Sequence, residues 1–287
     1  MRKPRTFSNR VIYTSESRIR HPLQLFREMG RDLLASRELA WRLLVRDISA
    51  QYRQSLFGVL WAFLPPIITA TGLLVARNAG AVNIGETEIP YPAYVMFSMA
   101  LWQTFVESLN SPIAAVNSAK PMLAKINFPK EAIILAKVGE VFFNFGIKSI
   151  LILGLFIWFQ IPVTWSILLA PVALIHLVIL GTGIGLLLAP IGALYGDIAK
   201  AIPLILSPWL LLTPVIYPTP KQGLFATIVN LNPVTPLLVT TRDLATSGLV
   251  TNPAGFWVVS GLAFGVLLIA WVWYRLAIPF VVERMSS

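Results

Sequence analysis

The chain has 287 residues, of which 56% are hydrophobic and 13% charged, with a net charge of +10 and a mean hydropathy of +0.72. That balance excludes an ordinary soluble domain and a disordered chain, and it predicts a polytopic membrane protein. With no cysteine, disulfides, thiolate catalysis and thiolate metal sites are excluded too.

The charge is uneven. Residues 1–55 hold twelve Lys or Arg against five Asp or Glu, and the remainder eleven against eight. A basic head can signal nucleic acid, but beside apolar spans it reads as positive-inside bias, with no nucleic-acid partner. Residues 1–22 form a basic cytoplasmic tail without apolar periodicity. No signal peptide is read there, because the first apolar run follows a long polar stretch.

Residues 23–55 predict an amphipathic helix region. Phe26, Met29, Leu33, Leu34, Ala40, Trp41, Leu44 and Ile48 share one side, and Arg27, Glu28, Arg31, Glu38, Arg42 and Arg46 the other. Arg37 interrupts the apolar stripe, which allows two shorter helices. The pattern suits a helix lying in the membrane interface, with its basic face toward anionic lipid. Trp41, Arg42, Arg46, Tyr52 and Arg53 are its interface residues. A cytoplasmic helix packed on a partner is the alternative.

From Leu56 to Val75 the chain carries no charge, so it leaves water there, because a charge at a helix centre costs several kcal/mol in lipid. The expected fold is all-α, with residues 56–287 forming a domain of six transmembrane helices. These are about Leu56–Val75, Tyr91–Val116, Ile133–Phe159, Ile167–Leu188, Ile198–Tyr217 and Phe256–Phe280, each long enough for the roughly 20 residues that cross a bilayer core. Pro112, Pro171, Pro190, Pro203 and Pro208 lie within or near span ends and argue for a packed bundle, where neighbours satisfy freed carbonyls. Gly181, Gly183 and Gly185 mark a close helix contact on the fourth span. His176, alone in that span, reads as a packing residue.

Loop charges set the orientation. Glu86 and Glu88 lie in the 79–90 loop, which has no Lys or Arg, whereas Lys120, Lys125, Lys130, Lys200 and Arg284 mark the opposite side. Both termini are therefore expected in the cytoplasm. The connection Pro218–Pro253 has apolar runs too short to span. Asn232-Pro233 and Thr235-Pro236 read as helix starts and Gly248 as a stop, giving two short helices on or dipping into the outer face.

Three motifs carry a resemblance. Arg46-Asp47, Tyr52-Arg53-Gln54-Ser55, Gly58, Leu60-Trp61 and Pro65-Pro66 come first, then Asn127-Phe128-Pro129-Lys130, then Tyr195-Gly196-Asp197-Ile198. In this order they resemble the ABC-2-type permeases, most of all the branch that exports O-antigen, capsule or teichoic-acid chains. The resemblance implies the membrane subunit of an ABC exporter in the bacterial inner membrane, working as a homodimer with separate nucleotide-binding ATPase subunits. It implies a lipid-linked glycan as substrate, moved outward, with ATP and Mg held by the partner and no cofactor on this chain. It also makes the outer short helices a pair of gate helices, and Ser118–Glu131 a coupling helix seated in the ATPase. The coupling residues would be Lys120, Met122, Leu123, Lys125, Ile126, Phe128 and Lys130, with Asp197 from the next cytoplasmic loop. Gly196 departs from the family, where many relatives carry Arg.

The residues agree with a transporter rather than an enzyme. There is no phosphate-binding G-x-x-x-x-G-K-[ST] run, and no carboxylate pair at helical spacing within a span that could do acid–base work. Trp61 and Trp102 are candidates for lining a sugar path. The alternatives are an ABC-2 exporter of a drug, haem or lipid, or an ion-coupled secondary transporter. The last should show an internal repeat and broken ion-binding helices, and neither is visible. On the third span, Lys137, Glu140, Asn144 and Lys148 recur at three- and four-residue steps and share a face. Glu107 on the second span lies at a depth similar to Lys148, so the expectation is that the two pair or face one wet path.

Overall fold

The computed structural model describes residues 22–53, 58–81, 85–126 and 128–286, and among these it is helical with no strand. The basic stretch 1–21 and Asn127 lie outside the described residues, as does the side chain of Tyr52.

Helix α1 (Pro22–Arg53) is one unbroken helix of 32 residues, so Arg37 does not divide it. The expected single apolar side is split in two. Leu25, Met29, Ala40 and Leu43 are buried against the bundle, while Phe26, Leu34 and Trp41 stay exposed. Helix α4 (Glu131–Trp158) receives it through Gly139, where an added Cβ would lie 3.0 Å from a methyl of Leu44.

Gln54, Ser55 and Leu56 lie outside the described residues, and the described part of the first expected span does not open as an α-helix. Gly58, at φ +48°, opens a 3-10 turn, Gly58–Ala62, and α2 (Leu64–Asn78) follows with prolines in its first turn. Proline suits that place, because the first turn has no intrahelical acceptor for its missing N–H. Helix α3 (Tyr91–Lys125) has 35 residues, about 50 Å at helical rise. It therefore overruns the expected end at Val116 and absorbs most of the cytoplasmic loop.

Helix α5 (Ala170–Leu194) follows a 3-10 turn at Trp165–Leu169, and α6 covers Asp197–Leu211. The latter stops short of the expected Tyr217. The chain turns at Pro214, and the freed carbonyls of Pro214, Ile216 and Tyr217 accept from the Tyr94 and Tyr91 hydroxyls at 2.8–3.3 Å. Two short helices, α7 (Gly223–Leu231) and α8 (Val234–Ala245), then meet at a bend of 87°. Asn232 holds that bend: its Oδ1 accepts from the Val234 N–H at 3.0 Å and from Trp209 Nε1 at 2.9 Å. Gly248, at φ +76°, ends the unit by donating its N–H to the Asp243 carbonyl at 2.8 Å. Helix α9 (Pro253–Ser286) completes the chain.

Among the described residues, α4, α9 and α5 with its preceding turn are long and apolar enough to cross a membrane, and α7 with α8 passes as one bent unit. The hydropathy of α3 is diluted by Gln103, Glu107, Asn110 and Asn117, which matters for the site below. The bundle is centred on α3 and α5. Lipid gives no hydrophobic drive between helices, so close packing must hold them. An added Cβ at Gly181 would lie 1.9 Å from Ser108 Oγ and one at Gly185 2.0 Å from the Leu109 carbonyl oxygen, while Gly183 lies against Leu267 of α9. The three glycines thus serve helix contacts.

Candidate functional site

Helices α3 and α4 are neighbours in the bundle, and their polar residues meet. Lys148 Nζ donates to Glu107 Oε1, and Asn144 Nδ2 donates to the other carboxylate oxygen at 3.3 Å. An ammonium at this depth is costly alone, and a carboxylate within hydrogen-bond reach is the usual resolution. The N-terminal half of the same α4 face turns to α1 instead. There Lys137 bonds Glu140 at 2.6 Å and Asp47 at 3.1 Å, and Asp47 also accepts from Arg46 at 2.7 Å. Burial raises the Asp47 carboxyl, but the hydrogen bonds from Arg46 and Lys137 outweigh it and hold the group below its ordinary value. The shared face therefore splits into two ion-pair sets, with Glu140 in the α1 set.

The Glu107–Lys148 pair lines a half-open cavity of about 480 Å³. Trp61 comes from the 3-10 turn, Trp102 and Gln103 from α3, and Gln51 from the end of α1. Trp61 is exposed, while Trp102 is buried and leans on Phe105 and Trp209 at ring separations of 5.4 and 6.5 Å. Trp209 bonds Asn232, so this wall continues to the α7–α8 bend. Flat indoles, amides and one neutralised ion pair suit a hydroxylated ligand that needs stacking faces and a few fixed polar partners. Among the described residues no group of His, Cys, Asp and Glu is placed to hold a metal.

The segment 118–131 is mostly the last turns of α3. Leu123 faces the core, while Met122 and Phe128 are half-buried against it. Lys120 and Lys130 are half-buried, and Lys125 and Ile126 are exposed. The exposed apolar surface expected there thus narrows to Ile126. Asp197 is exposed in the first turn of α6, where the helix dipole favours a carboxylate. Gly196 has nothing within 4 Å of an added Cβ and an ordinary backbone, so the fold leaves room there for a larger side chain. On α1, Trp41 is exposed, Arg42 pairs with Glu38 at 2.6 Å, and Arg53 ends the helix exposed.

Three charged residues that sequence reasoning passed over are structurally central. Arg242 of α8 is buried, bonds Ser98 Oγ at 3.0 Å and the Pro214 carbonyl at 3.1 Å, and lies 4.3 Å from the Tyr94 ring centre. Asp243 beside it accepts from the N–H and hydroxyl of Thr251 at 2.9 and 2.7 Å. Arg275 of α9 joins Asp32 of α1 at 2.6 Å and Glu131 of α4 at 3.0 Å. For Arg275 the available signal is a lone cation in an otherwise apolar run; Arg242 and Asp243 are adjacent in a polar stretch and carry no such signal.

Fold and site together define a helical membrane protein with a polar, indole-walled cavity inside its bundle. The chain belongs to the ABC-2 type transporter family, whose pattern it matches over residues 38–244. It is similar to the O-antigen export system permease protein RfbA of Myxococcus xanthus, 26% identical over 72% of this chain and 80% of that protein. Klebsiella pneumoniae has a protein of the same name that is 22% identical over 71% and 79%. The polysialic acid transport protein KpsM of Escherichia coli is 21% identical over 73% of this chain and 82% of its own.

Proposed function

We propose that this chain is the membrane subunit of an ABC exporter that moves a lipid-linked polysaccharide outward across the bacterial inner membrane. It works as a homodimer with two separately encoded ATPase subunits, which hold the ATP and Mg. The observation that carries this reading is the cavity: in a family whose relatives are named for O-antigen and polysialic acid export, it offers two indoles, amides and an ion pair. A drug, haem or lipid path in another ABC-2 branch needs no amides or ion pair. Although Gly58, Pro65, Met99 and Val106 make much of this wall apolar, its three amides and charged pair favour a hydroxylated cargo.

In this reading six spans are made by α2 with its preceding turn, α3, α4, α5, α6 with the turn to Tyr217, and α9. Helix α1 lies in the interface. Both termini face the cytoplasm with Lys120, Lys125, Lys130, Lys200 and Arg284. Segment 118–131 and Asp197 meet the ATPase, and the bent α7–α8 pair gates the outer exit. The test is to reconstitute the chain with its ATPase in proteoliposomes carrying a polyprenyl-linked glycan. ATP-dependent exposure of the glycan on the opposite leaflet is expected. A complex whose ATPase responds to apolar drugs and never to glycan would overturn the proposal.

A further inference from the structure

The two charges in the cavity are not equally presented. The Lys148 side chain is 3% exposed and that of Glu107 32%, so an entering ligand meets the carboxylate while the ammonium lies behind it. Among the described lining residues Lys148 is the sole cation, and its ammonium is engaged by Glu107. The other polar groups of the wall, Gln51, Gln103 and Asn144, are amides; Trp61 supplies an exposed flat face, and Trp102, packed on Phe105 and Trp209, backs the wall.

We propose that this wall selects an uncharged glycan and rejects one bearing carboxylates, with Glu107 as the specificity-determining residue. The assignment rests on the glycan-export reading above. Neutral sugar hydroxyls donate to a carboxylate in charge-assisted bonds, which are stronger than neutral ones. The weakly positive C–H faces of a sugar ring meet the negative faces of indoles. An acidic sugar meets the negative end of a neutral pair, because the Lys148 ammonium stands behind the Glu107 carboxylate. Its charge is repelled by the nearer group, though less than by a lone carboxylate. Its carboxylate would also leave water without finding a free cation. Any charge on a lipid carrier passes the wall once, whereas an acidic chain presents one at every repeat. A buried ion pair adds little stability over apolar packing, and discrimination built from an unmatched charge is a recognised use for one.

The test uses the full chain with its ATPase in nanodiscs and isothermal titration with two probes of matched length, a neutral mannose oligosaccharide and a sialic acid oligomer. The neutral probe should bind at least about ten-fold more tightly, the ratio that 1.4 kcal/mol of discrimination yields. Glu107→Gln should narrow or reverse the preference, because the Lys148 ammonium is then no longer neutralised. That variant leaves a buried cation unpaired and can fail to fold, so Glu107→Gln with Lys148→Met is the second arm. It removes both charges and should lose discrimination: the neutral probe, deprived of the carboxylate acceptor, should bind more weakly, so that the two probes bind alike. Equal or tighter binding of the sialic acid oligomer to the wild type, or unchanged discrimination in the double variant, would overturn the selectivity alone. Failure of both probes to bind would overturn the glycan reading and this inference with it.

Discussion

Gly185 of α5 lies directly against the backbone of Leu109 in α3: a Cβ placed on it would sit 2.0 Å from the Leu109 carbonyl oxygen and 3.0 Å from Pro112. Two helices of a membrane bundle approach this closely only where side chains are absent, and the contact sets the position of the polar face of α3. Gly181, one turn earlier, makes the same approach at Phe105 and Ser108.

Gly185→Ala should therefore force α3 and α5 apart, at a cost of about 1–3 kcal/mol for overpacking. Thermal unfolding in detergent should show a lowered midpoint. Gly146→Ala, on α4 with nothing within 4 Å of the new carbon, should leave it unchanged. Equal midpoints for the two variants would remove the glycine contact from the account of the fold.

The Glu107–Lys148 pair predicts a non-additive cycle. Lys148→Met alone leaves a largely desolvated carboxylate without its cation, a loss of about 3–5 kcal/mol for a buried pair. Adding Glu107→Gln removes that orphan charge and should recover part of the loss. Folded yield by size-exclusion chromatography measures all three proteins. Additive damage would count against the coupling.

At the C-terminal end of α3, Ile126 and Leu123 should separate docking from stability. Ile126 is 59% exposed and Leu123 6%. Ile126→Ser should weaken co-purification of the ATPase and leave the unfolding midpoint alone. Leu123→Ser, which buries a hydroxyl in the core, should lower the midpoint. If Ile126→Ser keeps full ATPase yield and full export, the docking surface lies elsewhere.

Much of this architecture is legible in the sequence. Predominantly apolar runs mark α4, α5 and α9, and Asn232-Pro233 with Gly248 marks the bent pair. The three- and four-residue steps on α4 put Lys148 at the depth of Glu107. What is not legible has a common cause. Arg242 meets Ser98, and Arg275 meets Glu131, across 144 positions each, so packing rather than spacing chooses those partners. The end of α3 misleads for a related reason. Pro121 and a run of lysines look like a loop, yet Ala119 and Leu123 are buried, and their burial carries the helix onward to Lys125.

Acid should loosen α1 from α4 through Asp47. Its carboxyl is held below the ordinary value of 3.8, so it binds protons more weakly folded than unfolded. Its stabilising contribution is present in full above the unfolded value and is lost as pH falls through the lowered folded one. Arg46 and Lys137 stay charged throughout, and Glu140 shares Lys137. A cysteine at Leu44, which packs on Gly139, should become reactive to a maleimide after exposure to pH below 3.8, and Asp47→Asn should make it reactive at neutral pH. No difference between the variant and the parent at neutral pH would show that Asp47 does not hold the helix.

The last prediction concerns Arg242 and the bent pair. Its guanidinium ties α8 to α3 through Ser98 and Tyr94, and to the turn after α6 through the Pro214 carbonyl. The same turn is fixed from the other side by the Tyr94 and Tyr91 hydroxyls. One side chain thus joins three elements that would have to part if the α7–α8 unit opens. Arg242→Met keeps much of the packing volume but gives up both hydrogen bonds and the ring contact, and it leaves the Pro214 carbonyl without that donor. Losing bonds from a charged donor costs about 1.5–3 kcal/mol each, enough to shift a two-state closure by ten-fold or more. Arg242→Lys retains a charge near Tyr94, but its shorter, strongly hydrated ammonium does not reach as far as Nη1, which makes both bonds, so it should lie between. Proteoliposomes holding Arg242→Met should leak a small neutral solute without ATP, while the parent stays tight. Limited proteolysis should cut the 212–222 connection faster in the same order. A variant that is tight, protease-resistant and active would show that Arg242 braces the fold without latching the exit.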